Sequence, residues 1–290
     1  MKIPLTLGVL GGSGVYEIAG VEVIKEHEVE TPFGAPSDLI TEVALDGRRA
    51  FFLPRHGKGH KLLPSEVNYC ANIYALKKLG VNCLLAVSAV GIMKEDIHPG
   101  DMVIPDQIYD RTKGTRKSTF FGDGIVGHVE FADPFSAQMS EWIEKAARQQ
   151  TDKVHKGGAY VAIEGPQFST RAESRSYCEN LKPAVIGMTG IPEAKLAREA
   201  EMLYGMLALA TDYDCWKESD DDVSVEAVLA VLKANSELAK SIVKELIQSL
   251  PAKADSPLFS AAKYSILTAP DAISPAAKER LALLYGQYFG

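Results

Sequence analysis

Two aspartates separated by one residue follow a long apolar run. The run at 202–210 is rich in Leu, Met and Ala, and Thr211, Asp212 and Asp214 come directly after it. Because side chains on a strand repeat every two residues, both carboxyl groups are predicted to share one face. Two adjacent carboxylates resist ionising together, so one keeps a proton that it can give to a leaving group, such as a planar base with an exocyclic amine. The alternative is a strand-end turn in which one acid is solvated and the other caps the next helix.

A short basic loop is a candidate for binding an anion. Arg55, His56 and three further basic residues follow a predicted strand at 49–53, within a loop that contains glycine. Arginine can bind an oxyanion through two parallel hydrogen bonds, so a focused basic cluster in an acidic chain points to a phosphate site. The alternative is a solvated basic loop that binds nothing.

Two strand ends carry serine hydroxyls that could join the same anion site. Ser13 lies in the glycine-rich turn at 11–14, and Ser88 follows an apolar strand predicted at 81–87. Glycines let backbone N–H groups approach an anion closely. The first turn does not match a dinucleotide-binding fingerprint, because Glu17 occupies the position of the third glycine. A tight structural turn is the alternative for this segment.

An aromatic residue at a rigid turn is a candidate for stacking on a flat base. Phe168 follows Gly165 and Pro166 and precedes a helix predicted at 170–180. Aromatic side chains stack on nucleobases, so Phe168 could form one wall of a base-binding site. The alternative is that its ring packs in the core below the turn.

Strands and helices alternate along most of the chain and would bring these groups to one edge of a sheet. The pattern predicts an α/β fold, a single domain with a central, mostly buried mixed sheet flanked by helices. This domain is predicted to span 1–290, with 251–290 forming a linker and a C-terminal helix packed on it. The long polar segment at 109–131 is predicted to be a lid or contact loop. Other predicted elements are helices at 65–79 (capped by Ser65), 133–149, 192–201, 223–250 and 275–289, and strands at 5–10, 38–44, 102–104, 159–163, 184–188 and 203–210.

The composition is that of a globular protein and disfavours several classes of partner. The chain has 290 residues, 46% of them hydrophobic and 24% charged, with a net charge of −7. Such an acidic surface argues against non-specific binding to nucleic acid or to an anionic membrane. The cysteines at 70, 83, 178 and 215 lack metal-ligand spacing and are predicted to be reduced thiols in a cytoplasmic protein. No signal peptide and no membrane span are predicted.

Several segments between residues 7 and 245 together resemble one family in their order and spacing. They include GVLGGSGVY, SAVG, EGPQFSTRAES and ATDYDCWKE. The family is that of the trimeric purine nucleoside phosphorylases, so the resemblance implies a nucleoside phosphorylase (phosphorylase/hydrolase-like) fold. The last segment is similar to the branch that acts on methylthioadenosine, because branches that use 6-oxopurines typically have Asn in place of the first Asp.

The resemblance implies a reaction in which methylthioadenosine and phosphate give adenine and 5-methylthioribose 1-phosphate. Asp212 would donate a proton toward the purine ring nitrogen, and Asp214 would accept from the exocyclic amine. Inorganic phosphate is the implied co-substrate, with no metal and no organic cofactor. Phe168 and Ser169 would line the base site, and Met188 the ribose site. The residues implied to bind phosphate are Ser13, Arg55, His56, Ser88, Ala89 and Thr189.

The same resemblance implies a homotrimer in which neighbouring copies share a site. Val225 and Val228 match helix positions in an apolar pocket for the methylthio group, and His128 matches a residue that a neighbouring copy contributes. Within the class, the alternatives are a broader purine nucleoside phosphorylase or a methylthioinosine phosphorylase. From other classes, they are a dinucleotide-binding dehydrogenase, disfavoured by Glu17, and a non-catalytic nucleoside-binding protein, which would be expected to lose the acid pair or the basic loop.

Overall fold

The strands and helices of the chain are arranged around one large sheet. A computed structural model describes residues 2–12, 18–217 and 225–289. Its strands are β1 (Ile3–Pro4), β2 (Leu7–Gly11), β3 (Glu22–His27), β4 (Ile40–Leu45), β5 (Arg48–Pro54), β6 (Cys83–Ile92), β7 (Met102–Ile104), β8 (Gln107–Arg111), β9 (Val154–Lys156), β10 (Ala159–Ile163), β11 (Val185–Gly187), β12 (Leu203–Tyr213) and β13 (Lys253–Ala254). Its α-helices are α1 (Tyr69–Lys78), α2 (Ala137–Arg148), α3 (Arg171–Ser176), α4 (Glu193–Glu199), α5 (Val225–Ser249) and α6 (Pro275–Tyr285).

Eleven of these strands form a single mixed sheet. Its main path runs β3-β4-β5-β2-β6-β11-β10-β8, and β12 pairs with β6 and with β7, which in turn pairs with β9. Strands β5, β2, β6 and β12 are parallel to one another, whereas β3 with β4, β4 with β5 and β7 with β12 are antiparallel pairs. The predicted class, a mixed sheet flanked by helices, is confirmed. The carboxyl ends of the central parallel strands meet at one edge.

The central strands are buried on both faces, which explains why their sequences are continuous apolar runs. In β6, Leu84 and Ala86 belong to one core cluster, whereas Leu85 and Val87 belong to the other. Helices α1, α4 and α6 contribute to the first cluster, and α2 and α5 to the second. With a packed core on each side, the sheet holds its strand ends in fixed positions.

Helix starts differ from the predicted ones where another polar side chain caps the first turn. Asn68, and not Ser65, caps α1 by accepting from the backbone N–H of Ala71 at 3.2 Å. Ser136 caps α2, so this helix begins four residues later than the predicted start at 133. Thr170 caps α3 in a reciprocal capping box. Each cap pairs a backbone N–H that the helix itself leaves without a partner.

The long segment at 109–131 is anchored to the core at a few buried residues, although more than half of its residues are exposed, and its assignment as a lid or contact loop stays a prediction. Phe120 and Ile125 are fully buried, and Arg116 is 6% exposed. Apolar side chains spaced through the polar segment anchor it to the core, which composition alone does not reveal.

The C-terminal helix α6 joins the main core through Leu281, Leu284 and Tyr285, all of which are buried. The ring of Tyr285 stacks on Phe121 with centroids 4.9 Å apart. None of the described helices combines the length and the apolar character that crossing a membrane requires.

Candidate active site

A cavity of about 580 Å³ lies where the central parallel strands end, a size suited to a small organic ligand. Its wall is formed by the carboxyl ends of β2, β5, β6, β11 and β12 and by one face of α5. The predicted site residues on this wall are Arg55, His56, Ser88, Ala89, Phe168, Met188, Thr189, Asp212 and Asp214. Motifs that are far apart in the chain therefore converge on one volume.

The other predicted site residues either belong to parts of the chain that the structure does not describe or do not line the cavity. Ser13 lies outside the described residues. Val225 and Val228 belong to the start of α5, but their side chains are not among the described parts of the chain. Ser169 does not line the cavity, and its hydroxyl oxygen is buried without a hydrogen-bond partner. His128 is exposed and does not line the cavity of its own chain.

Arg55 is buried at the end of β5 and is held by Glu193 at the start of α4. Glu193 accepts from Nε of Arg55, and also from Nη2 at 3.1 Å. The carbonyl oxygens of Val87 and Leu10 accept from Nη1 and Nη2 at 3.1 and 3.2 Å. These four bonds leave one of the five guanidinium N–H donors for a ligand. The two parallel hydrogen bonds that the sequence predicts between Arg55 and an oxyanion are therefore made to Glu193 instead.

The same ion pair fixes the charge of Arg55. Burial opposes a positive charge, but the Glu193 carboxylate outweighs it and raises the pKa of Arg55. Tyr204 Oη donates to Glu193 Oε2 at 3.2 Å, which adds a third contact to this carboxylate. A permanent cation thus forms part of the cavity wall, with only 1% of its surface exposed.

His56 is neutral near neutral pH. Burial and the neighbouring charge of Arg55 lower the pKa of His56 to about 4. Its Nδ1 lies 2.9 Å from the carbonyl oxygen of Leu62, which can only accept, so Nδ1 carries the proton. The ring stacks on His60 with centroids 4.4 Å apart. The other ring nitrogen, Nε2, is consequently an acceptor in the ligand-free protein.

Three hydroxyl groups form a chain that ends at the cavity. Thr189 Oγ1 donates to Ser88 Oγ at 2.8 Å, and Tyr160 Oη lies 3.4 Å from Thr189 Oγ1. Ser88 and Thr189 line the cavity, whereas Tyr160 is fully buried behind them. Because Arg55 bonds the carbonyl of Val87, the residue before Ser88, the hydroxyl groups and the guanidinium group are neighbours.

Asp212 and Asp214 lie beyond a bulge in β12. The register with β6 shifts between Ala210, which pairs with Val90, and Asp212, which pairs with Gly91. The extra residue changes the direction of the strand, and the two acids after it keep their two-residue spacing. Both line the cavity, as this spacing predicts, although the bulge itself is not evident from the sequence.

The two carboxyl groups have different surroundings. The fully buried Ser174 donates from Oγ to Asp214 Oδ2 at 2.5 Å, while Asp212 Oδ1 accepts from Thr211. Burial, and to a lesser extent the charge of Asp214, raises the pKa of Asp212 against the opposing hydrogen bond from Thr211, even though the cavity leaves Asp212 open to solvent. Asp212 is therefore suited to donate a proton, and Asp214 to accept a hydrogen bond.

Phe168 and Met188 form an apolar part of the wall. Phe168 lies at the mouth with 83% of its surface exposed, so the alternative in which its ring packs in the core is wrong. The carbonyl oxygen of Met188 accepts from Nη1 of Arg116 at 2.9 Å, and Nε of Arg116 pairs with Glu164 at 2.7 Å. This buried ion pair ties the end of β10 to the turn after β11 and so positions Met188.

Arg116, Tyr160 and Glu193 shape the site from behind the wall, and no local motif reveals them. Each acts through a partner far away in the chain; Arg55 and Glu193, for example, are 138 positions apart. The one available signal is general: a basic residue at the end of an apolar strand must find a carboxylate if it is buried. That rule predicts that a partner exists but does not identify it.

A family model described as the phosphorylase superfamily matches residues 6–248, which is most of the chain. The chain belongs to this superfamily. It is 55% identical to an S-methyl-5'-thioadenosine phosphorylase of Geobacter sulfurreducens, over 97% of this chain and 98% of that protein. It is 50% identical to a protein of the same name from Hyperthermus butylicus, over 88% of this chain and 92% of that protein.

Solved structures of superfamily members extend the likeness to three dimensions. A methylthioadenosine phosphorylase from an antarctic soil metagenomic library has a TM-score of 0.91 at 44% identity, covering 97% of this chain and 99% of that one. A mutant adenosine/methylthioadenosine phosphorylase of Schistosoma mansoni, in complex with methylthioadenosine, has a TM-score of 0.78 at 37% identity, covering 84% and 91%. The superfamily fold therefore extends over nearly the whole chain.

The cavity brings together two chemical functions. The described residues contain no cluster of side chains that could hold a metal ion. The wall offers hydrogen-bond donors and a buried cation near Ser88, and a carboxyl group with a raised pKa near Gly91, three residues farther along β6. At the rise of a strand, these groups are roughly 10 Å apart. Such a site is able to bind an anion at one end and to protonate a leaving group at the other.

Proposed function

We propose that this protein catalyses the reversible phosphorolysis of S-methyl-5'-thioadenosine to adenine and 5-methylthioribose 1-phosphate. The observation that carries the proposal is one cavity in which Asp212, with its raised pKa, lies near Asp214 and shares the wall with Arg55. The superfamily relatives described above support the choice of substrate, because their names give the same activity.

The acid pair acts on the departing base. Breaking the N-glycosidic bond leaves the bonding electrons on the base and positive charge on the sugar, and the protein must stabilise both. Asp212 donates its proton to the ring nitrogen of the purine, so the base leaves as neutral adenine. Asp214, held by Ser174, accepts from the exocyclic amine. Phe168 stacks on the base at the mouth of the cavity, and Met188 contacts the ribose.

Phosphate acts first as a counter-charge to the sugar and then as the nucleophile. Once the bond to the base has broken, an oxygen of hydrogen phosphate forms the new bond to the anomeric carbon. The proton that the phosphate loses replaces the one that Asp212 gave to the base, so the atoms and charges balance without a further reactant. Arg55 contributes its remaining N–H and its positive charge. No metal and no organic cofactor enters the proposal. The proposed phosphate ligands are Ser13, Arg55, His56, Ser88, Ala89 and Thr189.

We propose that the active unit is a cytoplasmic homotrimer. An apolar strip formed by Val126, Tyr264 and Leu267, which are 50%, 86% and 65% exposed, supports assembly, since such patches mark protein interfaces. Backbone hydrogen bonds hold the strip together, including one from Leu267 N to Val126 O at 2.9 Å. The four cysteines are all free, as expected in a reducing compartment.

His128 adjoins the apolar strip and would reach the cavity of a neighbouring copy. Its backbone N–H donates to the carbonyl oxygen of Ser265 at 2.9 Å, which fixes its position beside the strip. In this proposal Val225 and Val228 of α5 form the pocket for the methylthio group, and His128 of the neighbour closes the site.

The test is release of adenine from methylthioadenosine with and without phosphate. Strict dependence on phosphate, with 5-methylthioribose 1-phosphate as the second product, supports the proposal. Adenine release without phosphate would make the protein a hydrolase and overturn it. Adenosine, inosine and methylthioinosine are assayed in parallel, because a preference for any of them would replace the proposed substrate while keeping the reaction type.

A further inference from the structure

Tyr160 is a buried tyrosine on β10 whose ring occupies space that two glycines leave open. A Cβ atom at Gly187 would lie 2.5 Å from Tyr160 Oη, and one at Gly190 would lie 3.2 Å from the same ring. The ring is fully buried and does not line the cavity. This packing places the Tyr160 hydroxyl directly behind Thr189, a residue on the cavity wall.

The three hydroxyl groups can be arranged in two ways, and in only one of them does every hydroxyl proton have an acceptor. The backbone N–H of Thr189 can only donate, and it does so to Tyr160 Oη at 3.0 Å. The proton of Tyr160 is then directed to Thr189 Oγ1, 3.4 Å away, and Thr189 Oγ1 donates onward to Ser88 Oγ at 2.8 Å. In the reverse direction the Tyr160 proton would have no acceptor among the described residues, which is unfavourable in a buried site. Burial also raises the pKa of Tyr160, so the phenol stays protonated.

We propose that Tyr160 is a positioning residue that makes Ser88 a hydrogen-bond donor to the anion in the cavity. The proton at the end of the chain belongs to Ser88, and its acceptor in the ligand-free protein is the Ala89 carbonyl oxygen at 3.3 Å. That carbonyl oxygen carries no net charge, so an anionic oxygen in the cavity is the stronger acceptor. The inference rests on the proposed function, in which this anion is phosphate.

The first experiment compares Tyr160→Phe with the unchanged enzyme while phosphate and methylthioadenosine are varied separately. Loss of the ordered Ser88 donor should raise KM for phosphate roughly tenfold, the effect of about one hydrogen bond. KM for methylthioadenosine should change little, whereas the thermal midpoint should fall, because the backbone N–H of Thr189 loses its acceptor. Tyr74→Phe removes the hydroxyl of another buried tyrosine, one that does not line the cavity, and should change neither KM. An unchanged KM for phosphate in Tyr160→Phe, or an equal rise in both constants, would overturn the inference.

A second experiment asks whether Tyr160 acts through Ser88. If it does, adding Tyr160→Phe to Ser88→Ala should raise KM for phosphate no further than Ser88→Ala alone. If the two residues act independently, their increases in KM for phosphate would multiply, which would overturn the inference. Tyr160→Met removes the same hydroxyl and replaces Tyr160→Phe if that variant does not fold.

The phosphate dependence of the unchanged enzyme is measured before any variant. Adenine release without phosphate would overturn the proposed function together with this inference. Normal phosphate dependence combined with an unaffected Tyr160→Phe variant would overturn the inference alone.

Discussion

The raised pKa of Asp212 makes its protonated form available at higher pH than in a free aspartate. Because the proposed reaction uses this form, kcat/KM should fall as the pH rises through that pKa. Asp214→Asn removes a neighbouring negative charge, which lowers the pKa of Asp212 and should move the fall to lower pH. Asp212→Asn, which has no proton to give, should lower kcat by about 100-fold or more. The measurement is kcat/KM for methylthioadenosine against pH, and a fall at unchanged or higher pH in Asp214→Asn would contradict the assignment.

His56 should take up a proton when an anion binds. The free side chain is neutral, since its pKa is lowered to about 4, and Nε2 is its acceptor nitrogen. A negative charge against Nε2 raises the pKa of His56, so anion binding near pH 6 should draw protons from solution. Sulfate is the appropriate probe because it does not titrate in this range. Calorimetric titration in buffers of different ionisation enthalpy measures the uptake, which should be absent in His56→Asn; the same uptake in both proteins would contradict the prediction.

The position of each chemical group could be predicted from the sequence better than its partner. Arg55, Ser88 and Asp212 each lie where an apolar run ends, and in a parallel sheet such ends converge on one edge. The hydrogen-bond partners of the Arg55 guanidinium group could not be predicted, because the main one, Glu193, belongs to a helix far away in the chain. Tyr160 was not predicted either, since it reads as one more apolar residue of a buried strand.

At the scale of elements, the close contact between β10 and β11 requires glycine at position 187. A Cβ atom there would lie 2.5 Å from Tyr160 Oη, inside a packed core. Gly187→Ala should therefore destabilise the protein by about 1–3 kcal/mol and, by displacing Tyr160, raise KM for phosphate. Gly286→Ala is the matched control, because Gly286 has a helical φ of −53° and its added Cβ would be 4.0 Å from the nearest atom. The measurement is the free energy of unfolding of both variants in denaturant. Equal values for Gly187→Ala and Gly286→Ala would contradict the packing argument.

The elements that the sequence predicts well are those with a clear apolar pattern. The strands at Met102–Ile104 and Ala159–Ile163 have the predicted bounds, because continuous apolar runs mark buried strands. Strand β3, Glu22–His27, was missed: it is an edge strand with mostly exposed residues and several charges, so it has no apolar pattern to find. The bulge in β12 was missed because it depends on pairing with β6 and not on residue type.

At the scale of the whole molecule, Glu199 links folding stability to pH. It accepts from Thr119 Oγ1 and from the backbone N–H of Phe120, both at 2.7 Å, and so joins α4 to the segment at 109–131. Burial raises the pKa of Glu199 from 4.5 to about 7. The folded state therefore binds more protons than the unfolded state between these values. The stability that this group contributes is present below the lower value and is lost as the pH rises through the higher one, by at most about 3 kcal/mol.

Glu199→Gln should remove this pH dependence, because the amide keeps the shape of the carboxyl group but does not ionise. The measurement is the free energy of unfolding of both proteins at about pH 5 and about pH 7.5, at one protein concentration, since assembly also contributes to stability. The unchanged protein should lose more stability than the variant between the two values. Parallel curves would show that Glu199 does not titrate in this range.

Completion of each site by a neighbouring copy can be tested by mixing two damaged chains. Asp212→Asn removes the proton donor of the cavity in its own chain, and His128→Ala removes the side chain that the proposed trimer lends to a neighbour, which should raise KM for methylthioadenosine. In trimers formed at random from equal amounts of both, about a quarter of the sites combine an intact Asp212 with an intact His128 of the adjacent copy. At low methylthioadenosine concentration, the co-assembled mixture should therefore exceed the average activity of the two separate variants. If each chain used its own His128, every site in the mixture would carry one of the two changes. The activity of the mixture would then equal that average.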